Sequence, residues 1–182
     1  PSTGQSTHVN TFNIVPTARY IYNFSRSQSF SANYNGSSNQ PSFDQLQPVT
    51  DHSNALFPVQ GNPNLKPEFN NNIEVRYNQF SFNTGDIIFL RFNYNQTNNK
   101  IVTNSITYPV SYAPDTTLQN TTLTKYLNAG GYYTVGGFFN YSKPWANRKF
   151  TLSLMGNVNY NNNLVYFSKV SPVTYEETTQ KN

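Results

Sequence analysis

Gly61-Asn62-Pro63-Asn64-Leu65-Lys66-Pro67-Glu68 and the run behind it, Phe69-Asn70-Asn71-Asn72-Ile73-Glu74-Val75-Arg76-Tyr77-Asn78-Gln79-Phe80, decide how the chain is read. Two prolines four residues apart stop a helix and remove two N–H donors from any ladder, so the octapeptide is an extended loop end. Behind it the pattern turns to period two. Ile73, Val75 and Tyr77 fall on one face, and Glu74, Arg76 and Asn78 on the other. A stiff loop end therefore feeds a long amphipathic strand.

The same alternation recurs along the chain. A strand is expected from Phe12 to Phe24, broken by Pro16, with Tyr20, Tyr22 and Phe24 opposite Arg19, Ile21 and Asn23. After a turn at Ser25–Gln28, Phe30, Ala32, Tyr34 and Gly36 alternate with Ser31, Asn33 and Asn35, closing a hairpin over about 12–36. The Phe69 strand turns at Asn83-Thr84-Gly85-Asp86 and returns with Ile88, Leu90, Phe92 and Tyr94 opposite Arg91, Asn93 and Asn95. That hairpin covers about 69–104, and its return strand runs on to about Thr107. A third hairpin, about 123–160, sets Tyr133, Val135, Gly137, Phe139 and Tyr141 against Phe150, Leu152, Leu154, Gly156, Val158 and Tyr160, around Lys143–Arg148.

Between these hairpins lie long polar stretches at about 37–67, 108–120 and 161–182, read as loops, and residues 1–11 as a loop or frayed end. Short turns near 26, 84 and 146 alternate strictly with the long loops. An outer-membrane barrel has short turns on the periplasmic side and long loops outside. Aromatic residues gather at the turn ends, with Tyr20, Tyr22 and Phe24 at the first, Phe80 and Phe82 at the second, and Tyr141 and Trp145 at the third. Membrane interfaces favour that placement. The expected fold is all-β: an antiparallel up-and-down transmembrane β-barrel, of which about six strands are present, so that residues 1–182 form part of a larger barrel domain.

Composition agrees. Only 36% of the 182 residues are hydrophobic and 11% charged, while aromatics reach 16% and asparagine alone supplies 29 positions. A disordered chain is poor in aromatics, and a soluble sandwich carries more Lys and Glu on its surface. The net charge of +4 is scattered singly, which argues against nucleic acid as a partner. There is no cysteine, and no apolar run reaches the ~20 residues of a membrane helix.

The octapeptide, followed by Asn71-Asn72-Ile73-Glu74-Val75-Arg76-Tyr77, resembles a signature in the C-terminal barrel of TonB-dependent outer-membrane receptors, the outer membrane β-barrel family of Gram-negative bacteria. Asn62, Pro63, Leu65, Lys66, Pro67 and Glu68 carry the match, and Gln40–Pro48 is similar to the family's upstream loop. The resemblance implies a location in the cell outer membrane and a barrel of about 22 strands with a plug in its lumen. It also implies import of a nutrient ligand, energised by an inner-membrane complex through an N-terminal part that this chain lacks. Outer-membrane lipid and the remaining barrel and plug would be its partners. A secreted or surface β-rich carbohydrate-binding or adhesive module is the rival reading, since Tyr and Phe also stack on sugars. A small barrel closed between several chains is a third.

The residues point to binding, not to an enzyme. No Gly-x-Ser-x-Gly elbow occurs, the only adjacent carboxylates are Glu176-Glu177 in a polar tail, and neither His8 nor His52 has ligand spacing for a metal. No cofactor is expected. Gly130-Gly131 and Gly136-Gly137 lack the Lys-Ser/Thr of a phosphate loop and read as small residues in a curved strand. Glu74, Arg76 and Arg91 are the candidate functional residues, because alternation puts all three on the polar, lumen-facing side. The plain alternative is that they pair with one another across the 69–104 hairpin. The signature itself is expected to be structural.

Overall fold

The computed structural model describes residues 14–181; His8, the loop expected over 1–11 and the first two residues of the strand expected from Phe12 lie outside them. The elements run β1 (Thr17–Ser25), β2 (Gln28–Asn39), α1 (Phe43–Leu46), β3 (Thr50–Asp51), β4 (Val59–Gln60), β5 (Glu68–Phe80), β6 (Ile87–Asn98), β7 (Lys100–Thr107), β8 (Thr122–Ala129), β9 (Tyr132–Trp145), β10 (Phe150–Asn162), β11 (Tyr166–Val170) and β12 (Glu177–Lys181). Six of them, in the order β1-β2-β5-β6-β9-β10, form one antiparallel sheet. These are the strands that the alternation marks.

Register turns the alternation into rows. On one face Tyr20, Ala32, Val75, Phe92, Gly137 and Val158 lie side by side across the six strands. The next row holds Tyr22, Phe30, Tyr77, Leu90, Phe139 and Gly156. Phe139 lies over Gly156, filling the space that the missing side chain leaves. The other face carries Thr17, Asn35, Asn72, Asn95, Thr134 and Asn161 in one row. A one-residue slip anywhere would exchange the two faces, so the sheet has one workable register.

Two of the three short turns contain residues with positive φ. Ala146, Asn147 and Arg148 have φ of 50°, 57° and 65°, and Gly85 has φ 79°. Arg148 then ties neighbouring turns together, its Nη2 donating to the carbonyls of Phe82 at 3.1 Å and Asn83 at 3.2 Å.

The long connections depart from the expectation of plain loops. They form a second sheet of order β12-β11-β7-β8-β4-β3. The stretch 37–67 contains the end of β2, α1, β3 and β4, while 108–120 contains a 3-10 turn at Thr116–Leu118. The stretch 161–182, expected to be a loop, begins with the last residues of β10 and then holds the β11–β12 hairpin. The reason is the ribbon β7–β8. It extends the β6–β9 pair past the first sheet and would leave two open edges, which short segments of the neighbouring loops cover. Segments of two to five residues carry no readable periodicity of their own.

The ribbon keeps one register across a break. Thr97 lies opposite Tyr132 and Lys100 opposite Ala129, with Asn98, Asn99, Gly130 and Gly131 between. Asn99 has φ 52° and Gly131 φ 98°, conformations that Asn tolerates and Gly adopts freely. Gly131, read from sequence as a small residue in a curved strand, thus marks the break itself. Across it the neighbours exchange: β6 is flanked by β5 and β9 by β10, whereas β7 is flanked by β11, which follows β10, and β8 by β4, which precedes β5. A two-stranded ribbon twists strongly, and one that turns over at the break accounts for this exchange. The second sheet has its own core of Ile106, Leu123, Tyr108 and Val170, with Tyr112, Leu118 and Tyr175 packed against it.

Candidate functional site

The three charged candidates share the polar face, as alternation requires. Arg76 and Arg91 are direct cross-strand partners, in a row with Ser31 and Phe138. Glu74 sits in the next row, between Asn33 and Asn93. The pairing differs from the cross-hairpin alternative. The ion pair runs along β5, Arg76 Nη2 lying 2.8 Å from Glu74 Oε1 and donating to Oε2 at 2.9 Å. Residues two apart on a strand share a face, whereas β6 carries no carboxylate to offer Arg91. The Arg91 guanidinium instead lies 6.0 Å from the Phe138 ring centre, and Phe138 meets Phe89 edge-on at 5.6 Å. Two arginines are thus paired across the strands, and the one carboxylate beside them serves Arg76. Like charges directly opposite cost stability, and a cation over a ring recovers about 0.5–1 kcal/mol when exposed.

Around this row the face is amide-rich. Asn93 lies across Gly136, so close that a Cβ there would sit 2.5 Å from its Oδ1. Asn95 Nδ2 donates to Thr134 Oγ1 at 3.3 Å, and Thr97 Oγ1 to Asn70 Oδ1 at 2.7 Å. Such a wall presents many hydrogen-bonding groups and a few charged side chains.

The signature octapeptide occupies the junction of the two sheets. Gly61 is packed against the end of α1: a Cβ there would lie 2.3 Å from the Gln47 carbonyl oxygen and 2.7 Å from that of Asp44. Asn62 N–H donates to Gln45 O at 2.6 Å, its Oδ1 accepts from Asn64 N–H at 2.9 Å, and its Nδ2 donates to Tyr126 O at 3.0 Å. Leu65 is buried, and Pro63 and Pro67 hold the chain extended around it. Lys66 is held through its backbone, the N–H donating to Asn128 Oδ1 at 2.7 Å and the carbonyl accepting from Asn128 Nδ2 at 2.9 Å. Glu68 is 6% exposed; its Oε1 accepts from Ile101 N–H at 2.7 Å and lies 3.1 Å from Lys100 Nζ. Lys100 in turn stands 5.4 Å over the Tyr132 ring. Lys100, Tyr126 and Asn128 are separated from the octapeptide by tens of residues, and nothing in their local sequence announces the contact.

In the outer loops, Asp51 and Asp115 hold their carboxyls below the usual range. Each accepts a side-chain hydroxyl and a backbone N–H, from Ser53 and Thr117 respectively, and the exposed His52 nearby adds to the effect. Burial pushes the Tyr108 hydroxyl up, helped by Tyr112 and Glu177. Among the described residues no group of three His, Cys, Asp or Glu side chains is arranged to hold a metal ion.

Comparison with known proteins places this geometry. The fold is similar to the siderophore receptor PirA of Pseudomonas aeruginosa, with 18% identity and a TM-score of 0.55 over 82% of this chain and 28% of that one. It is equally similar to the ferric enterobactin receptor PfeA of the same organism, where a point-mutant structure gives 17% identity and a TM-score of 0.54 over 82% of this chain and 22% of that one. Another mutant of that receptor, in complex with enterobactin, matches with 17% identity and a TM-score of 0.54 over 83% of this chain. This chain spans about a quarter of the length of these receptors. No curated protein matches its sequence. A model of the outer membrane protein beta-barrel family, by contrast, matches residues 1–181. That match sets aside the secreted sugar-binding module and places the protein in the cell outer membrane. With alternating strands, short turns opposite long loops and this family match together, the chain belongs to the outer membrane protein beta-barrel family.

Proposed function

We propose that the chain is a portion of the wall of a TonB-dependent outer-membrane transporter that binds a nutrient ligand and imports it through a plugged barrel. In this reading the row-by-row apolar face meets lipid and the Asn-rich face lines the lumen, with Glu74, Arg76 and Arg91 on it. The observation that carries it is the six-stranded sheet with one apolar and one polar face, crowned on its long-loop side by a second sheet. Its likeness to siderophore receptors supplies the ligand class to try first. A plug domain and an inner-membrane energy-transducing complex are the implied partners, engaged by parts of the protein outside this chain. The role is binding and translocation without chemistry.

Arg91 provides the test. It lies opposite Arg76 with no carboxylate within ion-pairing distance among the described residues, so a ligand or plug carboxylate is the natural counter-charge. In the full-length protein Arg91→Glu would pair with Arg76 and leave assembly intact. Energy-dependent uptake of ferric enterobactin, used as the probe, should fall. Uptake that is unchanged in an assembled barrel would remove Arg91 from the transport path, and loss of assembly would make its role structural.

A further inference from the structure

We propose that the Gly61–Glu68 segment is a latch that fixes the orientation of the β7–β8 ribbon relative to the membrane-spanning sheet. The ladder cannot do this by itself. The β6–β9 and β7–β8 ladder is interrupted at Asn99, Gly130 and Gly131, two of these residues have positive φ, and the space beside Gly130 and Gly131 is open. The break lets the ribbon turn relative to β6–β9, where its remaining ties are the pairing of β7 with β11 and of β8 with β4. Besides the Lys100–Tyr132 contact, the octapeptide crosses the break, and its contacts land on the ribbon just beyond the interruption. Glu68 takes the Ile101 N–H and the Lys100 ammonium on β7, while Asn62 reaches the Tyr126 carbonyl on β8.

Asn128 is the keeper of the latch. It sits on β8 and binds both backbone groups of Lys66, and its Nδ2 also donates to Asn99 O at 2.8 Å, the carbonyl of the residue at the break. The latch has a fixed base. Glu68 begins β5, which is paired on both sides within the first sheet, and Gly61 and Asn62 are seated on the backbone of α1. Two prolines keep the span between base and ribbon from slackening. The segment thus joins a rigid strand to the ribbon across its break, and the Asn62, Lys66 backbone and Glu68 groups that do so each meet a partner of the opposite donor or acceptor type.

Pulse EPR on the full-length protein in liposomes tests this, with nitroxides at Val110→Cys beyond the end of β7 and Phe82→Cys in a short turn, both highly exposed. The parent should show one narrow distance. Asn128→Ala, which leaves β5 untouched, should broaden it, and Glu68→Ala with Asn128→Ala should abolish the single peak while the folded barrel keeps its heat-modifiable gel mobility. Glu68→Gln, which retains an acceptor for Ile101 N–H, should stay close to the parent. An unchanged distribution in Asn128→Ala or in the double variant overturns the proposal. So does loss of the folded barrel in Asn128→Ala, which would make the contact a folding requirement and not a latch. The measurement reads ribbon orientation alone, so its failure leaves the transport reading standing.

Discussion

An arginine placed at Leu90 should be among the most damaging single substitutions in the sheet, and the reason is depth. Along β10, Phe150 to Tyr160 is ten residue steps, or about 34 Å of strand at ~3.4 Å per residue. A strand tilt of about 40° reduces this to roughly 26 Å along the membrane normal, close to the ~25 Å apolar band of outer-membrane barrels. Leu90 lies in register with Phe139, and Phe139 with Gly156, six steps above Phe150. Tilt lowers in-register residues by roughly 3 Å per strand from β10 to β6, so Leu90 lies about 9 Å above the lower rim, within roughly 4 Å of the midplane. Tyr94, four residues further along β6, lies about 10 Å higher, nearer the upper rim than the midplane. An arginine on the lipid face costs about 2–4 kcal/mol near the midplane and about 0–1 near the interface. Leu90→Arg should therefore shift the folding equilibrium by roughly 30- to 700-fold, and Tyr94→Arg by less. Guanidinium titration of the full-length protein in phosphatidylcholine vesicles measures both. Equal costs at Leu90 and Tyr94, or a smaller cost at Leu90 than for Asn93→Arg on the opposite face, would refute the assignment of faces.

Two further outcomes follow from the outer sheet. Gly61→Ala drives a methyl group to 2.3 Å from the Gln47 carbonyl oxygen, an overpacking of about 1–3 kcal/mol that frees α1 and the 40–60 loop for limited proteolysis while β5–β6 stays protected. Asp115 accepts from the Thr117 hydroxyl and N–H, so its folded carboxyl titrates below its unfolded value. That stabilisation is complete above the unfolded pKa and is lost as pH falls through the lowered folded one. Amide protection factors in the 108–121 loop, with the intrinsic pH dependence of exchange divided out, should accordingly fall on acidification below the ordinary carboxylate range, and Asp115→Asn should flatten the response.

Legibility divides between the two sheets. Ile88, Leu90, Phe92 and Tyr94 against Arg91, Asn93 and Asn95 reveal a two-faced strand because a pleat has period two wherever it lies. The register follows from such patterns, and so the facing of Glu74, Arg76 and Arg91 could be read in advance. Their partners could not. Whether Glu74 meets Arg76 along the strand or Arg91 across it depends on rotamers and on Phe138, a residue of β9 that reaches the Arg91 guanidinium. The outer sheet was hidden for a different reason. Strands such as Val59–Gln60 and Tyr166–Val170 exist only because an open ribbon edge awaits them, and their own residues do not demand a strand.

By itself the sequence determined a two-faced, up-and-down sheet with short turns on one side and long connections on the other. It also marked Gly61–Glu68 as a stiff loop end opening a strand. Tertiary structure alone decided what that loop end holds. Asn62, Lys66 and Glu68 find Tyr126, Asn128, Ile101 and Lys100 only after the ribbon has turned over at Asn99 and Gly131. The physical reason is range: alternation is a property of neighbours along one strand, whereas a hydrogen bond across tens of residues is created by the packing that brings its two ends together.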